Sequence, residues 1–235
     1  MSETVIARWS ARSTGQAITV WPDGCRDLIV RLDPGRAPAV FLTALDAAAY
    51  EVAAPEGSLF WGLRLAPGAT AFWEDDLRTA CRGGTVLPQC GARAREFARR
   101  VSRRPEGTEG LLAEAAEAWF RPADALASEF VAYGHDRDWS RPYAGGRTLR
   151  RRISLATGAP PRFWLSLFRV RRAAADIVHG LDSLAELAVA HGFSDQAHMT
   201  REVSRWLGVT PAVLRRERRR YEGLVTMPTA FDTTT

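Results

Sequence analysis

The 235-residue sequence predicts an α+β protein of two domains. The first is an antiparallel β domain, sandwich or partial barrel, with connecting helices, and the second is all-α. Three observations predict this. Residues 1–67 hold short apolar runs separated by Pro- and Gly-containing turns, the pattern turns helical from about residue 69, and residues 145–216 contain two similar helical units offset by 50 residues. The divisions expected are 1–104 for a β-rich regulatory domain, 105–134 for connecting helices, 135–222 for the helical domain and 223–235 for a flexible tail.

The strand signals come first. AITVWPD, CRDLIVRL, AVFLTAL and SLFWGLRLAP are rich in Val, Ile, Leu and aromatics and are bounded by PDG, DPG, APEG and APG. In the last run, Leu59, Trp61, Leu63 and Leu65 fall on one face and Phe60, Gly62 and Arg64 on the other, because strand side chains alternate. Helical spacing follows in ARAREFARRV, in TEGLLAEAAEAWF with Thr108 as its expected N-cap, and in PADALASEFVAYG. GHDRDWSRPYAGG, residues 134–146, is expected to be irregular, and the tail GLVTMPTAFDTTT loosely held.

The repeat organises the second half. Leu149, Ile153 and Ala156 in one unit, and Met199, Val203 and Trp206 in the other, share i, i+4, i+7 spacing, which marks the buried stripe of a helix. Each helix is followed by a glycine, Gly158 or Gly208, suited to a C-terminal cap, and then by Pro161 or Pro211. Thr210 is an expected N-cap for the helix opened by Pro211. Upstream in the second unit, Ser183 and Glu186 have the spacing of a capping box opening SLAELAVA, with Leu184, Leu187 and Ala188 inward. That helix stops at His191–Gly192, and Ser194 is the expected N-cap of the next. Two short helices joined by a tight glycine turn make a helix-turn-helix.

With Met199 inward and about 100° per residue, Ala197, Thr200, Arg201 and Ser204 face outward and Gln196 projects from the first turn. Arg147, Arg150, Arg151 and Ser154 hold the equivalent places in the first unit. These are groove-reading chemistries: Arg grips guanine O6 and N7, Gln grips adenine N6 and N7, and Ala or Thr meets the thymine methyl. Charge placement agrees. All 32 basic residues are arginine; residues 1–134 carry 15 of them against 17 acidic residues, whereas residues 135–222 carry 17 against 9. A basic half joined to a near-neutral one points to a polyanionic partner.

On these residues the chain resembles the AraC/XylS family of bacterial transcription regulators. LAELAVAHGFSDQAHMTREVSRWLGVTPAVLRR, Leu184 to Arg216, resembles the family's second helix-turn-helix, and RTLRRRISLATGAPPRFWLSLFRVRRAAADIV, Arg147 to Val178, its first recognition helix and long linker helix. The resemblance implies two helix-turn-helix units on one linker helix, with both recognition helices entering successive major-groove segments of double-stranded promoter DNA. The base-facing residues it implies are Arg147, Arg150 and Arg151, then Gln196, Ala197, Thr200 and Arg201, with His198 near phosphate. RNA polymerase contact and homodimerisation are further expectations. One departure stands out: extended upstream, the 50-residue offset puts YGHDRDWS opposite SLAELAVA, so the first unit reads as rearranged ahead of its recognition helix.

WPDGCRDLIV, WGLRLAPGA and TVLPQCGARAREFARRV resemble a cupin-like β domain of uncharacterised function that precedes heads of this type. This implies a sensor or oligomerisation module, with a small-molecule effector as an expected partner. Trp21, Asp23, Trp61, Arg64 and Phe72 are candidates for a pocket lining, since aromatic walls with a few charges suit a small ligand. Against this stands the reading of PDG as a turn, Arg64 as an ion-pair partner and the tryptophans as core. A β half that serves only as a protein-interaction module is a third reading.

Other classes fare worse. His191, Asp195 and His198 invite a metal or catalytic reading, yet no HExxH or Cys/His cluster supplies further ligands. A metal-dependent enzyme in the β half lacks its usual ligands, because residues 1–134 contain no histidine, and only a carboxylate-based site would remain. The expectation is therefore no enzyme, no cofactor and no metal. Cys25, Cys81 and Cys90 form no CxxC pair, which fits reduced thiols. With 46% hydrophobic residues, no apolar run of about 18 and no signal-peptide pattern at MSETVIARWS, a folded cytoplasmic protein without membrane contact is expected.

Overall fold

The computed structural model describes residues 4–71, 85–86, 91–136, 146–180 and 182–226. These form two compact units. The first comprises residues 1–18, 25–45 and 51–124, and the second residues 19–24, 46–50 and 125–235.

In the first unit, β1 (Val5–Arg12), β6 (Leu59–Leu65), β3 (Arg26–Leu32), β4 (Ala39–Leu42) and β8 (Thr85–Val86) form an antiparallel sheet in that order. The register explains the alternation. Leu28 lies opposite both Leu63 and Leu42, and Val30 opposite Trp61 and Val40, so one face is continuously apolar. That face packs with Phe97 and Val101 of α1 (Gly91–Arg103) and with Leu111, Leu112, Ala115 and Ala116 of α2 (Thr108–Trp119). The opposite face places Asp27 across from Arg64 and Ile29 across from Gly62. Arg64 is only 6% exposed, and its guanidinium contacts both Asp27 oxygens, at 3.3 and 3.2 Å; Trp9 Nε1 also donates to Asp27, at 3.0 Å.

Several expectations change here. β1 carries no strand signal because half of it is exposed on a sheet edge, leaving no apolar alternation to detect. Thr108 is the first residue of α2 rather than its cap: a 3-10 turn at Pro105–Gly107 precedes the helix, and the Thr108 hydroxyl donates to the Pro105 carbonyl at 2.6 Å. Within the stretch expected to be helical, β7 (Thr70–Ala71) pairs with β9 (Phe120–Arg121). β2 (Ile18–Val20) and β5 (Tyr50–Val52) form a further two-stranded sheet. Cys25 is buried, and Cys81 and Cys90 lie outside the described residues.

The second unit is helical: α3 (Ala125–Asp136), α4 (Arg147–Thr157), α5 (Pro161–His179), α6 (Leu184–Ala190), α7 (Gln196–Leu207), α8 (Pro211–Arg216) and α9 (Glu222–Thr226). The long α5 is central, with Leu167, Val170, Ala173, Ala174, Ile177 and Val178 all buried. Packed with it are Leu187 and Ala188 of α6, Met199, Val203 and Trp206 of α7, and Leu214 of α8. The helix that packs ahead of α4 is α3, which the sequence reading placed among connectors, so the spacing of the first unit is longer than the 50-residue repeat allows. Gly134 is buried on α3 because a Cβ there would stand 1.9 Å from the Phe168 ring of α5. The remainder of the segment expected to be irregular, residues 137–145, lies outside the described residues. Residues 222–226, mostly assigned to the tail, form α9, which buries Leu224. The rest of the tail lies outside the described residues.

Asp46 is half-buried in the second unit, and burial pushes its pKa up to about 6; a hydrogen bond with Tyr50 opposes this and the nearby Asp23 charge adds to it. The ordinary value is 3.8, so the folded chain binds the extra proton between that pH and about 6. Stability is therefore expected to fall as pH rises through this window and to level off above it. Asp46→Asn should remove about 1 kcal/mol of that slope, allowing for solvent screening, when denaturation midpoints are compared near pH 4 and pH 7.

Candidate nucleic-acid interface

The second repeat folds as a pinned helix-turn-helix. The Ser183 side chain accepts from Glu186 N–H at 3.2 Å while Glu186 accepts from Ser183 N–H at 2.8 Å, so the capping box opening α6 is complete. After α6 the turn closes through Gly192, at φ 69°, with Phe193 N–H donating to the Ala188 carbonyl. Three contacts from α5 hold this turn. His191 Nε2 meets Asp176 at 2.7 Å, Arg169 donates to the Gly192 carbonyl at 3.2 Å, and the Arg169 guanidinium lies 4.6 Å from the Phe193 ring centroid. His191 is 6% exposed, which places it in the packing between turn and linker helix.

Asp195, not Ser194, caps α7. Its carboxylate accepts the His198 N–H, and this hydrogen bond is the main cause of its lowered pKa. Either residue is a good N-cap, and the geometry selects the carboxylate, which also suits the positive end of the helix dipole. Ser194 instead donates its N–H to His198 Nδ1 at 3.2 Å. An Nδ1 that accepts leaves Nε2 to carry the proton of the neutral ring. The ring also meets Phe193 edge-on, at 5.4 Å.

Met199 and Val203 are fully buried and Trp206 is 2% exposed, as the spacing requires. Gln196, Ala197 and Arg201 are exposed on α7, and Thr200, whose hydroxyl donates to the Gln196 carbonyl, is half-buried. Helix α4 repeats the plan. Arg147, Arg150 and Arg151 are exposed, and Ile153 is 1% exposed. Leu149, expected in the buried stripe, is 38% exposed; it sits in the first turn, and the inward row is formed instead by Ile153, Ala156 and Thr157. Both helices end on glycines in the left-handed region, Gly158 at φ 75° and Gly208 at φ 72°, which a side chain would strain. Both are followed by a helix with proline in its first turn, and Thr210 caps the second of these through Val213 N–H.

The five pocket candidates fall in different parts of the chain. Trp61 and Arg64 belong to the first unit, Trp21 and Asp23 to the second, and Phe72 lies outside the described residues. Arg64 is turned onto Asp27, while Trp61 lines a shallow depression of about 280 Å³ with Ser10, Arg12, Leu59 and Phe60. Trp21 packs edge-on against Tyr221, with ring centroids 6.1 Å apart. Among the described residues, no three His, Cys, Asp or Glu side chains are grouped to hold a metal ion, and no helix is long and apolar enough to cross a membrane.

The geometry defines a class of protein module, a helix-turn-helix held on a long linker helix. Residues 143–217 match the family model described as a helix-turn-helix domain. No curated protein matches the chain. Similar solved structures include ToxT from Vibrio cholerae, at 10% identity and a TM-score of 0.45, covering 94% of this chain and 99% of that one. Two others are ToxT from V. cholerae O395, at 9% identity, a TM-score of 0.43 and coverage of 96% and 98%, and unsaturated-fatty-acid-bound ToxT from V. cholerae strain SCE256, at 10%, 0.43, 96% and 97%.

Proposed function

We propose that this protein is a sequence-specific, DNA-binding transcription regulator in which α4 and α7 read successive major-groove segments. The observation that carries this reading is the pair of amphipathic helices with matching glycine caps. Each buries one row of side chains and exposes those suited to base edges: Arg147 and Arg151 on α4, Gln196, Ala197 and Arg201 on α7. Arg150 and Thr200 flank these rows. His198, at the start of α7 with its Nδ1 facing the Ser194 N–H, suits a phosphate oxygen at Nε2. The remaining exposed arginines of the second unit supply phosphate contacts. The first unit acts as the regulatory half, altering occupancy of promoter DNA in response to a small-molecule effector.

Selection of bound duplexes from a random pool with the full chain tests this. Two enriched segments about one helical turn apart are expected. Arg201→Ala should cost about 1–3 kcal/mol at one base position and relax preference there. No enrichment by the unmodified chain would overturn the reading.

A further inference from the structure

The last carbonyls of a helix need donors from outside the regular hydrogen-bond ladder. Near the end of α4 the Thr157 hydroxyl bonds to the Ile153 carbonyl at 2.8 Å, and accepts from Trp164 Nε1 at 2.8 Å. In the repeat, Leu207 stands where Thr157 stands, and it has no hydroxyl. At this end of α7 the Trp206 carbonyl, one of the helix's last four, accepts from Ala49 N–H, at 2.8 Å, a residue from far earlier in the chain. Ala49 sits directly at the cap, its Cβ 3.8 Å from where a Cβ on Gly208 would be.

A second contact, made by a different segment, ties the same unit together. Residues 19–24, like 46–50, belong to the second unit although the sequence places them among strands of the first half. Trp21 packs on its core beside Tyr221. The Arg171 guanidinium on α5, 8% exposed, donates to the Pro22 carbonyl at 3.2 Å with one nitrogen and to the Leu224 carbonyl with the other. Because β2 pairs with β5, the segments carrying Trp21 and Ala49 are joined as one ribbon.

We propose that Ala49, Trp21 and Pro22 are positioning residues for DNA reading: the ribbon fixes the C-terminal end of α7 and its linker helix, and so sets how α7 presents Gln196 and Arg201 to base edges. This rests on the DNA-reading function proposed above.

The test uses the full chain and two duplexes, the selected sequence and a scrambled one of equal length. Ala49→Pro removes the donor to Trp206, and Trp21→Ala removes the ring that seats the ribbon. Each is expected to lower the ratio of selected to scrambled affinity about five- to tenfold, the loss of roughly one hydrogen bond's worth of orientation, while binding to scrambled DNA and helical circular dichroism stay unchanged. A merely structural role would instead weaken both duplexes alike, and that result, or an unchanged ratio, overturns the positioning role. If Ala49→Pro does not fold, the ratio for Trp21→Ala decides alone. An unmodified chain that binds both duplexes equally would be a failure of DNA reading itself, which is distinct from an unmodified chain that discriminates and variants that discriminate as well.

Discussion

Arg64→Met is expected to cost the first unit about 3–5 kcal/mol, because it strands a carboxylate in the sheet without its counter-ion. Asp27 is 8% exposed and receives Arg64 on both oxygens; after the substitution its carboxylate would keep, among the described residues, the Trp9 Nε1 donor alone. The cost comes from the buried charge that remains rather than from the value of the pair itself. The double variant Arg64→Met with Asp27→Asn should therefore recover most of the loss, since asparagine is neutral and still accepts from Trp9. Hydrogen exchange at the Leu28 and Val30 amides, in the buried centre of β3, measures the stability of this sheet directly. A loss below about 1 kcal/mol for the single variant would mean that water reaches the pair.

How much of this molecule its sequence makes legible depends on the range of the physics involved. The stripe Met199–Val203–Trp206 and the Ser183–Glu186 box are set by neighbours within one or two turns, and both appear in the structure as spacing predicts. Local signals fail where two residues compete for one role, as Ser194 and Asp195 do for the N-cap of α7. They fail again where exposure erases the pattern, as along β1. The first helical unit illustrates a third limit. Its helix α4 is found at the repeat distance, but α3 lies further upstream than the repeat places it, and the glycine that weakened the helical signal is required by the close approach to Phe168. Membership of residues 19–24 and 46–50 in the second unit depends on contacts between segments remote in sequence, such as Ala49 with Trp206, and no window of sequence contains those. For the interface the consequence is uneven: which side chains face outward on α7 is written in its own periodicity, whereas what holds the end of that helix is not.

Binding of the selected duplex should fall by about 10³–10⁵ between 50 and 200 mM salt, the behaviour of a protein that neutralises six to ten phosphates. Residues 135–222 hold 17 arginines against 9 acidic residues, which is enough charge for such a footprint even after internal pairing. Some of it is already engaged: Arg205 pairs with Glu202 at 2.9 Å, and Arg216 and Arg220 share Glu217. Those acids are held ionised, the Glu202 carboxyl by its Arg205 hydrogen bond and the Glu217 carboxyl chiefly by Arg216, each below the ordinary range. The exposed arginines beside the reading rows are the better candidates for phosphate. Arg152→Ala, flanking the outward face of α4, should reduce the slope of log affinity against log salt by about one and leave sequence preference intact. Arg201→Ala should do the reverse, keeping the slope and losing preference at one base pair. The two variants thus separate charge from reading on the same protein. If Arg201→Ala changed the slope and left preference untouched, α7 would lie along the backbone and not in the groove.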